Sequence, residues 1–156
     1  MKGDFDISEM TSGDLGEVCR IENEVFPNPW PQSAFESDIA NDGTYSPVVR
    51  DSSGSIIGYA CLMVVADEAH LTNIAVSNEH RRRGIGSMLM DDVLSKAERE
   101  GCRAVFLEVR NSNLDARDFY LRYGFTELYR RKRYYRRPTE DALVLVRQIG
   151  ERNSHG

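Results

Sequence analysis

No stretch of this sequence approaches the roughly 20 consecutive apolar residues that a helix needs to cross a bilayer. The N-terminal MKGDFDISEM also lacks the apolar core of a secretory signal. Both absences lead to the expectation of a cytoplasmic protein with no membrane partner. Cysteine is scarce. Cys19, Cys61 and Cys102 are odd in number and widely spaced, which suits reduced core thiols and offers neither a disulfide framework nor a zinc site. We therefore expect no metal. Cations are nearly missing from the first half, where residues 1–80 hold 3 Lys/Arg against 14 Asp/Glu. Residues 81–137 reverse the balance with 15 against 8, so the overall charge of −5 conceals two opposed regions. One side of the fold is suited to an anion and another tolerates a cation, although for any single charge a solvated surface is the plain alternative. Repeats, low-complexity tracts and linkers are absent, and 156 residues make one domain with room for a real core. Its bounds are read as 1–149, with 150–156 a polar tail.

What is present is an ordered series of periodic segments. ISEM reads as a short strand, and a helix capped near Thr11 or Ser12 follows, with Leu15, Val18, Ile21 and Val25 at helical spacing. FPNPWPQ stops that helix, because its prolines remove backbone donors and clash with the preceding turn. SAFESDIA is a second short helix. SPVVRD and SIIGYACLMVVADE flank the turn SSGS as a hairpin. AHLTNIAV is a strand, SMLMDDVLSKAERE a helix ended by Gly101, CRAVFLEVR a strand, and NLDARDFYLRYG a helix that stops at Gly124. FTELYRRKRYY and ALVLVRQI form a last strand pair. Helix and strand alternate in the middle and hairpins close both ends, which defines a mixed α/β or α+β domain.

The segment LTNIAVSNEHRRRGIGSML places three arginines and two glycines between a strand and a helix. Glycine lets a backbone turn tightly and approach a ligand, and a helix start presents unpaired N–H groups with the positive end of a dipole. Phosphate is the natural guest of such a site. A Rossmann fingerprint would need a small residue where Leu89 stands, and a Walker loop would need GK[ST]; neither is present. A turn with solvated arginines remains the simpler alternative.

Arg81-x-x-Gly84-x-Gly86, between a strand and a helix, resembles the acetyl-CoA motif of the GNAT acetyltransferases. The likeness extends along most of the chain. EAHLTNIAVSNEHRRRGIG, FLEVRNSNLDARDFYLRYGF and RRKRYYRRPTEDALVLV resemble, in order, signatures of that family's RimI-type N-terminal acetyltransferases, and VFPNPWPQSAF resembles their segment between the first two helices. The resemblance implies the GNAT fold, a mixed and mostly antiparallel sheet of about seven strands, splayed between two parallel strands and flanked by about four helices. It also implies acetyl-CoA as co-substrate, a protein N-terminus as acceptor (the alanine of a small-subunit ribosomal protein), and no nucleic-acid partner outside the ribosome.

By that resemblance, the backbone of Ile74, Ala75 and Val76 pairs with the pantetheine arm, and the Val76 N–H polarises the thioester carbonyl. Arg82, Arg83, Gly84, Ile85, Gly86 and Ser87 hold the pyrophosphate through main-chain groups. Asn113 matches a cofactor-contacting asparagine, and capping of the following helix is an alternative role. Glu108 aligns with the general base and Tyr120 with the acid that protonates departing thiolate. For Glu108 a surface pairing with Arg110 is the competing reading, and for Tyr120 simple core packing. Phe26, Pro27 and Trp30 are implied on one wall of the peptide slot and Tyr134 and Tyr135 on the other, where packing alone also explains aromatics. A free α-amine titrates near ~7.7–8.0 and a lysine near ~10.4, so a modest base suffices for an N-terminus. The hairpin RRKRYYRRP carries more arginine than that subfamily leads one to expect. Two other readings stay open here, a GNAT enzyme acting on a small amine or a lysine, and a non-catalytic acyl-CoA-sensing or nucleic-acid-binding module.

Overall fold

The structure is a computed structural model that describes residues 4–136 and 138–150. The expected polar tail beyond Gly150 lies outside the described residues. In chain order the elements are β1 (Asp6–Glu9), α1 (Leu15–Val25), α2 (Gln32–Ala40), β2 (Thr44–Tyr45), β3 (Pro47–Arg50), β4 (Ile56–Val65), β5 (Glu68–Val76), α3 (Ile85–Arg99), β6 (Ala104–Arg110), α4 (Leu114–Arg122), β7 (Thr126–Tyr135) and β8 (Glu140–Gln148). Short 3-10 turns at Ser12–Asp14 and Asn78–His80 precede α1 and α3. Thr11 caps the first of these turns reciprocally, its N–H reaching Asp14 Oδ2 at 2.8 Å. Arg50 grips the same Asp14 carboxylate at 2.9 Å and ties this turn to β3. Gly101 and Gly124 adopt φ of +81° and +87° just beyond α3 and α4, the left-handed conformation that ends a helix without a Cβ clash.

The strands form one sheet in the order β1-β3-β4-β5-β6-β8-β7, antiparallel throughout except for β5 beside β6. The two-residue β2 adds an eighth strand, pairing Thr44 and Tyr45 with Met63 and Leu62 of β4. Two residues are too few to show alternation, so periodicity does not reveal it.

Neighbouring residues on a strand face opposite sides, and the core divides accordingly. Ile57, Leu62, Leu71, Leu107 and Leu143 pack with Ile85, Leu89, Met90 and Val93 of α3 on one face. Ile56, Tyr59 and Cys61 pack with Leu15, Val18 and Ile21 of α1 on the other. Each such aliphatic side chain removed from water contributes about 1.5–3 kcal/mol, which holds both layers to the sheet. Cys61 and Cys102 are buried thiols, Cys19 is half-buried, and all three are free. Among the described residues no helix is long and apolar enough to cross a membrane.

Candidate functional site

The site begins where two strands part. Parallel pairing of β5 with β6 runs only from Glu68 opposite Ala104 to Leu71 opposite Leu107. Pairing of β5 with β4 continues to Val76. A register shift at Cys61/Leu62 leaves Thr72 as an extra residue on β5, and a bulge of this kind bends a strand and increases its twist. The end of β5 thus stays with β4 and leaves β6. Ser77 donates its N–H to the Ile57 carbonyl at 2.9 Å. In antiparallel alternation the backbone groups of Ser77, Ala75 and Asn73 therefore face β4, and those of Ile74 and Val76 face the gap. Ala75, expected to present its backbone there, has it engaged with Tyr59; it borders the site as a wall residue only.

One end of the gap presents unpaired backbone donors beside two arginines. Gly84, at φ +81°, precedes α3 and accepts the first intrahelical bond from Met88 N–H at 3.0 Å. The N–H groups of Ile85, Gly86 and Ser87 lie ahead of that bond, and no side chain caps them. Arg82 also takes a left-handed φ of +66°, so the second turn residue is an arginine and not Gly86, which is already helical. A Cβ at Gly86 would meet the Phe119 ring at 3.5 Å, an ordinary packing contact. Arg81, Arg82 and Arg83 are exposed and have no ion pair among the described residues. Arg81 and Arg82 border the gap, whereas Arg83 stands off its wall. Asn113 also borders it, with its side chain accepting from Ala116 N–H at 3.2 Å as the cap of α4.

The gap is one end of a cavity of about 1110 Å³ that continues between the loop after α1 and the β7–β8 hairpin. Glu108 and Tyr120 both border it. Glu108 pairs with Arg131 at 3.3 Å, not with Arg110. Arg110 turns instead to Glu140 at 3.0 Å and lies over the Tyr135 ring at 4.3 Å. Tyr120 is 8% exposed, its ring edge-on to Phe119 and Phe125. Burial, with a smaller contribution from Tyr135, pushes its hydroxyl well above the usual tyrosine value and keeps it protonated. Tyr135 is pushed up to about 12, first by burial and then by the Glu108 charge.

Phe26, Pro27 and Trp30 form one wall, and Tyr134 and Tyr135 the other. A second bulge presents the tyrosines. Between Arg131 opposite Ala142 and Tyr135 opposite Glu140, β7 holds two more residues than β8 accommodates, and Arg133 there adopts φ +51°. Asn28 Nδ2 reaches the Arg136 carbonyl at 3.0 Å and links the two walls.

A buried group that sequence reasoning missed joins these parts. Glu22 is 1% exposed and borders the cavity. Its Oε1 accepts from Tyr59 Oη at 2.7 Å and Asn73 Nδ2 at 2.9 Å, and its Oε2 from Trp30 N–H at 3.0 Å. Burial and the adjacent Glu22 raise the Tyr59 hydroxyl far above its ordinary value. The available signal was positional. Leu15, Val18, Glu22 and Val25 share one helical stripe, so a carboxylate stood among core positions. Among the described residues no cluster of His, Cys, Asp or Glu is arranged to hold a metal ion.

Comparison with known proteins bears on this geometry. A family model described as the acetyltransferase (GNAT) family matches residues 15–125. The ribosomal protein bS18-alanine N-acetyltransferase of Escherichia coli strain K12 is 34% identical over 148 residues, covering 92% of this chain and 97% of that protein. The crystal structure of the ribosomal-protein-S18-alanine N-acetyltransferase from Escherichia coli superposes with a TM-score of 0.87 at 31% identity, over 93% of this chain and 94% of the other. That of Ard1 from Thermoplasma volcanium does so with a TM-score of 0.86 at 28% identity, over 94% and 98%.

Proposed function

The chain belongs to the GNAT family and is an acetyltransferase, and we propose that it moves the acetyl group of acetyl-CoA to the α-amine of a protein N-terminus, the alanine of a bS18-type ribosomal protein. The observation that carries this reading is the parting of β5 from β6 after Leu71/Leu107. It leaves the backbone of Ile74 and Val76 facing a gap that the α3 N-terminus, Glu108 and Tyr120 also border. The residues present fit acetyl-CoA. Uncapped amides of Ile85, Gly86 and Ser87 suit its pyrophosphate, with the cations of Arg81 and Arg82 nearby. Free strand groups on Ile74 and Val76 suit the amide-bearing pantetheine.

Each residue then has a physical task. Val76 N–H hydrogen-bonds the thioester carbonyl and stabilises the negative charge that grows on its oxygen during attack. Glu108 accepts a proton from the ammonium, directly or through water, so that the nitrogen lone pair forms the new C–N bond as the C–S bond breaks. Tyr120 gives a proton to the departing sulfur, and the second proton that the nitrogen sheds as the amide forms restores the phenol. At pH 7.4 roughly a fifth to a third of α-amines are already neutral, against about a thousandth of lysines, so a carboxylate is base enough for this acceptor. Arg131 holds Glu108 until the substrate ammonium arrives as a replacement cation.

The test is acetyl transfer to short peptides that differ at residue one, with N-terminally blocked and lysine-containing controls. Acetylation of free α-amines, alanine foremost, is expected. Preferred modification of the lysine controls or of a polyamine overturns the substrate assignment.

A further inference from the structure

We infer that Glu22 is a positioning residue whose carboxylate clamps the Pro27–Pro31 loop to the acyl-bearing strand, and that this clamp sets the size of N-terminal residue accepted. The inference rests on the peptide-acceptor reading above. Its first support is how few donors the loop has. Pro27, Pro29 and Pro31 carry no N–H. The Phe26 N–H is taken by the Glu22 carbonyl as α1 ends, at 3.0 Å, and the Trp30 N–H by the Glu22 carboxylate. Both ends of the loop thus hang on one residue.

The second support is what lies at the other oxygen. Asn73, on β5, and Tyr59, on β4, bind Oε1, so the loop wall and the strand carrying Ile74 and Val76 share one rigid anchor. A strut meant only to join α1 to the sheet would be at least as stable if apolar, because a buried carboxylate must first give up its hydration before its hydrogen bonds offset the loss. What the carboxylate adds is geometry, with donors from three elements converging on one group. Across the cavity Asn28 ties the loop to the Arg136 carbonyl. Glu22 therefore governs how far Trp30 stands from the Tyr134–Tyr135 wall, and hence the width of the slot.

Trp30 is the only tryptophan in the chain, so its fluorescence reads the loop without any assay of turnover. Three variants separate the possibilities. Glu22→Met keeps shape but removes both acceptors. Glu22→Gln retains an oxygen for Trp30 N–H and presents its amide to Asn73, whose own amide can turn over to accept. Asn28→Ala loosens the loop at its exposed end and leaves the buried network intact.

For Glu22→Met we expect Trp30 emission to move to longer wavelength, with CoA affinity within about twofold of wild type. The peptide KM should rise about tenfold, with kcat changed far less, as expected when a hydrogen-bonded clamp on binding geometry is lost. The preference for alanine- over methionine- or phenylalanine-initiated peptides should shrink by a similar factor. Glu22→Gln should restore emission and selectivity, and Asn28→Ala should change both in the same direction as Glu22→Met but less. Wild-type selectivity in Glu22→Met overturns the inference. If Glu22→Met does not fold, unchanged selectivity and emission in Asn28→Ala overturn it. Failure of Glu22→Gln to restore function shows that the charge, not the clamp, matters, and overturns it too. If the wild-type chain acetylates no peptide, the function reading fails instead, while Trp30 emission still decides whether the clamp exists.

Discussion

Replacing Tyr120 with phenylalanine tests the chemistry with little disturbance to the fold. Its hydroxyl makes no hydrogen bond among the described residues, so its removal leaves no orphaned partner, and its ring contacts with Phe119 and Phe125 survive in phenylalanine. Stability should change by no more than about 0.5 kcal/mol, a Tm shift of about 1–2 °C for a domain of this size. Catalysis should change far more. General acids contribute about 10²–10⁴-fold, but a thiol titrating near ~8.5 is a tolerable leaving group without a proton, so the low end applies. We expect kcat to fall about 100-fold, equivalent to about 2.7 kcal/mol of barrier. The assay is release of free thiol from acetyl-CoA at saturating alanine peptide, with calorimetry confirming unchanged CoA affinity. Burial raises the Tyr120 hydroxyl above its ordinary value, so the wild-type rate should show no loss of this acid below about pH 10. A Tyr120→Phe rate within about threefold of wild type, with fold and CoA binding intact, would refute the assignment.

Glu108→Gln should lower kcat/KM about 10²-fold or more at pH 7.4. The defect should narrow near pH 9, where roughly nine in ten α-amines are neutral without help; a defect independent of pH would show that Glu108 is not the base. Gly84→Ala forces a Cβ into φ +81°, costing about 1–2 kcal/mol and distorting the anion site, so calorimetry should find weaker CoA binding and differential scanning a lower Tm. Gly58→Ala places a Cβ 3.0 Å from both the Ala75 carbonyl and Ile85 Cγ2. Overpacking of this kind costs about 1–3 kcal/mol, to be read from denaturant midpoints, and it pushes directly on the strand that carries Val76. Burial raises the hydroxyls of Tyr45, Tyr59, Tyr120 and Tyr135 above their unfolded value. Their contribution to stability is therefore complete below about pH 10 and lost as pH climbs through the folded values, about 12 for Tyr135. Denaturant midpoints should fall above pH 10 as tyrosinate absorbance rises.

Local signals were enough for much of the architecture. The stripe Leu15, Val18, Ile21 and Val25, the prolines after Phe26, and the glycines at 101 and 124 each act within a turn or two of chain, and the elements begin and end where those signals stand. Alternation along β6 is local in the same way, with Val105, Leu107 and Val109 buried and Glu108 on the other, exposed face. The ordered motifs were also enough to identify the family. Tertiary structure decided what depends on register and on distant partners. One bulge at Thr72 determines that Ile74 and Val76, not Ala75, face the gap, because an extra residue changes which edge of the sheet each backbone group meets. Arg110 sits two positions from Glu108 in the chain, yet Arg131 is the partner of Glu108, because β7 brings it across β8. Glu22 draws its donors from Trp30, Tyr59 and Asn73, up to 51 residues away. Periodicity reports which way a side chain points from its own helix or strand, but a hydrogen bond between elements requires both partners to arrive at one point, and only the packed chain brings them there.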